Sequence, residues 1–501
     1  MFSADLLLSG FVEDSLRTAG WLYGPSNLWP GPLPDADAPP TDCVAFDRIW
    51  TVSRADIERY YATGEATADL TEWPAHLGAP VLDGDGIPDN YDLAAGDQPD
   101  LLGDVAAWWV MNDAGNTHDL GGSVRGTAPL GVEVRVLAFA FETSPFPGVP
   151  LDPLRLASFV QFDVVNRRST PLDSLRLSLY VDADIGNPND DYAGVDTLRH
   201  LVYTYNGQAV DADNGAYDPG YGPAPPAWGV QMLRGPVALP NGRDDDYDGA
   251  IDEPGERARL ATAPLMEDDY GTGSPFHPVQ VYNVQRGLTV RGEALRGHGV
   301  GYPCYSLACE RAPATVFGFT GDPAEHAFWS ELNADGQGTA MIPGDRPSIA
   351  TTGPARLAPG ERATVLVAFP FARGPDYLAS VSALRAVAAG LLAAFGDGVP
   401  SRRVEGPPAP PVPIVRGISA VRPNPGAGGQ AALLALPGAA FVEAVVIDAL
   451  GRRVAVVARG AWAPGEHRLA VPDGLPPGAY VLRVAVERGQ PASVPFTVVG
   501  R

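Results

Sequence analysis

Three runs of carboxylates in this chain have the spacing of oxygen ligands for a hard cation. Asp244-Asp-Asp246-Tyr-Asp248-Gly249-Ala-Ile251-Asp252 places acids at positions 1, 3 and 5 of a loop, glycine at 6 and an apolar residue at 8. Asp83-Gly-Asp85-Gly86-Ile-Pro-Asp89, with Asp92 nearby, is the second run. The third is Asp182-Ala-Asp184-Ile-Gly-Asn-Pro-Asn-Asp190-Asp191, at the end of an expected strand, with Asp196 beyond it. Clustered carboxylates repel one another unless a cation neutralises them, and Ca²⁺ accepts about six to eight oxygens in flexible loops. The expected cofactor is therefore structural Ca²⁺. Its expected ligands are Asp244, Asp246, Asp248 and Asp252; Asp83, Asp85 and Asp89; and Asp182, Asp184, Asp190 and Asp191. The alternative at each run is a solvated acidic turn.

Covalent and acid–base chemistry has less to work with. The chain has no Gly-x-Ser-x-Gly elbow, no His-Glu-x-x-His, no Walker loop and no Gly-x-Gly-x-x-Gly opening a helix. Its seven histidines show no i,i+4 pairing. All 35 basic residues are arginine, which excludes Schiff-base, P-loop and general-base lysines. Paired acids for glycoside hydrolysis depend on the fold. Glu325 and Glu331 are the candidates, against a plain role at a helix or strand edge. Trp108-Trp109 reads as core packing, with a sugar platform as the alternative.

The elements that must position these groups are mostly strands. Glycine (58) and proline (51) exceed a fifth of the 501 residues without a period, which suggests short strands joined by turns and long loops. Period-two runs begin at Val132, Phe159, Leu175, Leu201, Trp228, Thr315 and Ala363. Leu6 to Val12 and Leu16 to Tyr23 read as a hairpin around Glu13-Asp14-Ser15. Helices are expected at 54–63, capped by Ser53, and at 376–396. The fold class is mainly β: a β-sandwich-type body with long acidic loops and a few helices, then a small Ig-like sandwich. Residues 1–396 form the body, 397–413 a proline-rich linker and 414–501 the second domain. No apolar run approaches the roughly 20 residues of a membrane span.

Charge divides at the same place. From Val412 onward nine arginines face five acids, whereas the preceding residues carry 26 arginines against 55 acids. An acidic body argues against nucleic-acid binding and favours cations. Of the three cysteines, Cys304 and Cys309 could close a small disulfide loop, against two buried thiols, and Cys43 reads as a buried small hydrophobe.

The last ninety or so residues carry Arg422-Pro-Asn-Pro425, Ile447-Asp-Ala-Leu-Gly-Arg-Arg-Val454, Pro464-Gly-Glu-His-Arg-Leu469 and Leu475-Pro-Pro-Gly-Ala-Tyr-Val-Leu-Arg483, with a final strand ending Val499-Gly-Arg501. In this order the series resembles the type A C-terminal sorting domain of the type IX secretion system. It is also close to an Ig-like domain of flagellar hook-capping proteins, so a plain Ig-like module is the alternative. The resemblance implies a bacterial protein that reaches the outer surface or the medium through the outer-membrane secretion machinery, with surface polysaccharide as a further partner. The amino-terminal residues lack a basic region, and Asp5 interrupts the apolar stretch, so no signal peptide is read there. With the resemblance, the expectation is a start that lacks upstream sequence; without it, a cytoplasmic protein. Gly78-Ala-Pro-Val-Leu-Asp-Gly-Asp-Gly86, Trp108-Trp-Val-Met-Asn-Asp113 and Asp191-Tyr-Ala-Gly-Val-Asp196 resemble phrases of large exported proteins with such tails and no established activity. The Asp244 run is similar to extracellular calcium loops, with Gly255 at the twelfth position excluding a full EF-hand, and the Asp83 run to one arm of a thrombospondin type 3 repeat. The leading expectation is a structural or binding surface protein without catalysis. The alternative is a secreted hydrolase or carbohydrate-binding protein.

Overall fold

Alternation along Val132-Glu-Val-Arg-Val-Leu-Ala-Phe sends Val132, Val134 and Val136 to one core, and Leu137 and Phe139 to another on the opposite face. That division organises the body. In the computed structural model of the chain, the described residues are 3–20, 27–35, 43–87, 90–114, 118, 126–144, 151–215, 219–240, 244, 251–253, 255–264, 275, 277–301, 307–395, 404, 417–436, 440–463, 465–486 and 491–500. Two compact units emerge, Met1–Glu405 and Gly406–Arg501.

The first unit is built on two antiparallel sheets. The smaller runs Ser348–Leu357, Leu172–Asp182, Ser3–Val12, Ser15–Ala19. The larger has nine strands, with the path Asp191–Asp196, Leu201–Asn206, Ala227–Arg234, Arg362–Ala372, Ala157–Asn166, Val132–Ala140, Val105–Asn112, Trp29–Pro30, and Trp50–Ser53 also paired to Val105–Asn112. Leu8, Leu177 and Leu179 of the small sheet meet Val134, Val164 and Val367 of the large one in a shared apolar layer. Each such fully buried side chain contributes about 1.5–3 kcal/mol. The hairpin at the start of the chain forms as its sequence suggests, pairing Val12 with Ser15.

On its other face the large sheet carries the helix Tyr377–Phe395, whose Val381, Leu384, Ala388 and Leu391 pack among Phe159, Tyr203 and Ala368. Contrary to the sequence reading, this helix is long and apolar enough by length and composition to cross a membrane, because its isolated polar residues do not offset its alanine, leucine and valine content; here one face is buried in the core. Gln231 Nε2 reaches the Ala388 carbonyl at 2.8 Å, fastening helix to sheet. Val404 belongs to the same core and exchanges two hydrogen bonds with the Gln98 amide, at 2.9 and 3.2 Å. Trp108 is fully buried against Trp50, and Trp109 packs half-buried on the opposite face, so both belong to cores rather than to a sugar platform.

The helix Arg54–Thr63 starts at Ser53, whose hydroxyl accepts from the Asp56 N–H at 3.2 Å while the Asp56 carboxylate accepts from the Ser53 N–H at 2.9 Å. Replacing Ser53 by Ala removes one half of this capping box and is expected to cost about 1 kcal/mol, read as a lower melting temperature of the body; an unchanged melt would show that packing alone holds the helix. The run at Thr315 departs from expectation. Its strand is only Ala314–Thr315, and Phe319 adopts a φ of 41°, which turns the chain out of extended geometry. Cys309 is disulfide-bonded and Cys43 is a free, half-buried thiol rather than a core residue. Cys304 lies outside the described residues.

The second unit is a small sandwich. One sheet orders Gly417–Ile418, Ala431–Leu436, Gly465–Ala470; the other orders Arg453–Trp462, Ala440–Asp448, Gly478–Val486, Ala492–Val498. Leu434, Leu436, Val442, Val446, Leu482 and Phe496 fill the layer between them. The sequence phrases singled out above make its turns and closures. Asn424 Oδ1 accepts from the Thr497 N–H at 2.8 Å, Asp448 Oδ1 accepts from the Arg452 N–H at 2.9 Å, and the Tyr480 hydroxyl donates to the Pro476 carbonyl at 2.7 Å.

Candidate metal centre

The run from Asp182 to Asp191 links the two sheets of the body. Asp182 is the last residue of a small-sheet strand, and Asp191 the first residue of the large sheet's edge strand. Between them the chain turns through Gly186, at φ 70°, and the single turn Pro188–Asp190 capped by Asn187. A Cβ at Gly186 would lie 2.0 Å from Asp211 Oδ2, so only glycine admits the Asp211 carboxylate here. Asp211 accepts from the Asn187 N–H at 3.2 Å and the Tyr221 N–H at 2.6 Å. A third segment closes the site, where Gly344 N–H donates to the Asp191 carbonyl at 3.0 Å and brings in Asp345.

Carboxylate oxygens of Asp182, Asp184 and Asp345 lie within 4.8 Å of one another. Asp190 and Asp191 stand beside them, 6% and 1% exposed. Asp191 Oδ2 accepts from the Ile185 N–H at 2.8 Å. Its Oδ1, like Oδ1 of Asp190, is buried with no hydrogen-bond partner. Burial, then the charges of Asp182 and Asp184, push the Asp345 carboxyl up to about 7. Burial and Asp211 push Asp190 up to about 6, and burial holds Asp191 well above the usual range, with Asp190, Asp211 and Asp184 adding to it. A basin of converging acids with buried, unpartnered oxygens is costly unless a proton or a cation occupies it. Asp196 does not share this role: although burial opposes ionisation, Arg385 and Arg199 hold its carboxyl below the usual range.

A second cluster forms where Val81–Leu82 pairs with Gln98–Pro99 and closes the intervening acidic loop. Asp83, Asp85 and Asp97 bring carboxylate oxygens within 4.8 Å of one another. Backbone N–H groups orient all three: Gly86 to Asp83 at 2.6 Å, Ile87 to Asp85 at 2.8 Å, Gly84 to Asp97 at 2.8 Å. Asn90 donates to Asp85 at 3.2 Å, and its own Oδ1 is buried without a partner. Asp92 instead caps the turn Leu93–Ala95. Asp89 lies outside the described residues, as do Asp246 and Asp248 of the Asp244 run, so Asp244 and Asp252 are described without the acids between them.

Sequence spacing found four members of the first basin and missed Asp211 and Asp345, which arrive from 20 and more than 150 residues further on. No local signal marks either one. Asp97 was legible as part of the acidic stretch after Asp83 but not as the carboxylate that closes the cluster. Of the two acids considered for glycoside hydrolysis, Glu325 is exposed and Glu331 is buried in an ion pair with Arg346, Nε to Oε2 at 3.0 Å. Glu331 also accepts from the Ala193 N–H at 2.8 Å. They are not a convergent pair.

No family model matches the chain, and no curated protein matches it. Among solved structures, the chain is similar to a polysaccharide lyase at 6% identity with a TM-score of 0.20, over 74% of this chain and 34% of that one. The chain thus spans about a third of that structure's length, and a likeness this slight carries no argument about activity.

Proposed function

We propose that this is an exported bacterial surface protein of structural or binding role, whose body is stabilised by Ca²⁺ and whose Ig-like tail directs its sorting. The observation that carries the reading is the carboxylate basin at the junction of the two sheets, with the buried unpartnered oxygens of Asp190 and Asp191. Asp182, Asp184 and Asp345 would ligate the ion, and Asp190, Asp191 and Asp211 would complete or orient the shell. The Asp83, Asp85 and Asp97 loop is the second proposed site. Extracellular modules bind Ca²⁺ with dissociation constants on the order of 10⁻⁴–10⁻³ M, which suits a calcium-rich exterior. The ordered series of tail motifs supports export through the outer membrane, with the secretion machinery and surface polysaccharide as partners. Of the two acids considered for the hydrolase alternative, Glu331 is engaged by Arg346.

Deleting residues from Ile414 onward is expected to leave the body folded but retained in the periplasm, measured by fractionation and surface proteolysis. Truncated protein at the cell surface would overturn the sorting role. Metal analysis of desalted protein tests the other half: a calcium content lowered by about one ion per chain in an Asp182→Asn, Asp345→Asn variant supports the basin, and an unchanged content, or metal-free protein from calcium-replete medium, rejects it.

A further inference from the structure

On the face of the large sheet that carries the long helix, three neighbouring strands also present a row of polar side chains. Arg135, Asp163 and Thr364 stand opposite one another across those strands, with Leu137 opposite Gln161 in the adjoining row. Arg135, Gln161 and Asp163, together with Arg362, floor a cavity of about 240 Å³, roofed by Gly78, Pro80, Asp100 and Leu102.

Each polar group is held from behind. The Thr364 hydroxyl donates to Asp163 Oδ1, and Gln161 Nε2 approaches Asp163 Oδ2 at 3.4 Å. Arg362 lies 3.6 Å from Asp163 with much of its side chain in solvent. Arg135 gives its Nε–H to Glu133 at 2.8 Å and rests its guanidinium against Gly78, where a Cβ would lie 2.1 Å from Nη1. A guanidinium has five N–H donors, so one hydrogen bond to Glu133 leaves most of its donor capacity for a ligand. Half-buried Leu102 makes the apolar part of the wall, with the core residues Leu137 and Trp108 packed behind it. The roof is anchored, since the Asp100 N–H donates to the Pro80 carbonyl at 3.0 Å.

We infer that this cavity binds one neutral sugar residue of a surface or extracellular glycan. Its volume is below the roughly 300–1,000 Å³ of sites for drug-sized ligands, which selects a single ring. A pyranose offers an apolar C–H face for Leu102 and hydroxyls that both donate and accept, matching guanidinium, amide and carboxylate together. An anion would meet Asp100 and Asp163 on the wall and a body with 26 arginines against 55 acids. A cation would meet two arginines. The inference rests on the proposed export for the glycan's location, and the cavity is independent of the calcium sites.

The test is calorimetric titration of the full chain, with calcium present, against glucose, galactose, mannose and N-acetylglucosamine, their short oligomers, and glucuronate. At least one neutral sugar should bind saturably in the millimolar range, and glucuronate more weakly. Gln161→Ala and Arg362→Ala should each weaken binding about tenfold or more, with unchanged melting temperature. No saturable binding to any neutral sugar, tighter binding of glucuronate, or affinity indifferent to both substitutions would overturn it.

Discussion

Replacing Arg346 by Met is expected to lower the stability of the body by about 3–5 kcal/mol, the usual consequence of leaving one member of a buried ion pair without its partner. Both Glu331 and Arg346 are buried, and the guanidinium also donates to the Ile342 carbonyl. The loss should depend on pH. Burial already pushes the Glu331 carboxyl up to about 7 despite Arg346, so the native state takes up a proton there more readily than the unfolded chain. Stability from this group is therefore present at low pH and is lost as pH rises through 7. Without Arg346 the carboxyl is driven higher still. The variant's deficit should be modest at pH 5, where Glu331 is neutral, and largest at pH 8. Thermal melts of the variant and the parent at both values measure it. Glu331→Gln in the same chain should restore much of the loss, because the uncompensated charge is gone. A deficit equal at both pH values would mean that lost packing, not charge, is responsible.

Withdrawal of calcium is the second large effect. An ion bound to the folded state alone stabilises it by about 2.7 kcal/mol per site at 100 times its dissociation constant. The body should melt higher in millimolar calcium than in chelator. The ion-free protein has its own pH dependence, fixed in sign by the raised carboxyls. Asp345 at about 7 and Asp190 at about 6 bind protons in the native state that an unfolded aspartate, near 3.9, releases. In chelator, stability should therefore fall as pH rises from about 4 through 7, as the native state gives up protons the unfolded chain has already lost. Calcium replaces those protons, so its benefit should grow over the same range. Asp345→Asn separates the two contributions. It should stabilise the chelated protein at pH 8 by relieving repulsion, while shrinking the calcium response. A melting temperature indifferent to chelator at every pH would reduce the basin to a set of protonated acids.

The two effects share a structural origin. Arg346 follows Asp345 directly, and Glu331 holds the Ala193 N–H two residues after Asp191. The ion pair thus braces both the segment that delivers Asp345 and the strand that begins with Asp191. Loss of Arg346 should weaken calcium binding as well as the fold.

Much was legible in the residues alone. Period-two alternation at Val132, Phe159, Leu175 and Ala363 determined strands, because a half-buried or doubly packed strand must sort side chains by face. Ser53 determined a helix start, because capping is local chemistry; that Asp56 completes the box was seen only in the structure. The acidic runs singled out Asp182, Asp184, Asp190 and Asp191 as candidates, since candidate ligands of one loop lie close in sequence. What the tertiary structure alone decided is which distant groups join them. Asp211 and Asp345 enter the basin through sheet pairing and loop closure, which place residues by register rather than by spacing. Glu331 is paired with Arg346, a partner 15 residues away that no motif announces. The cavity over Arg135, Gln161 and Asp163 exists only because three strands lie side by side, and the sequence, read one segment at a time, holds no record of that adjacency.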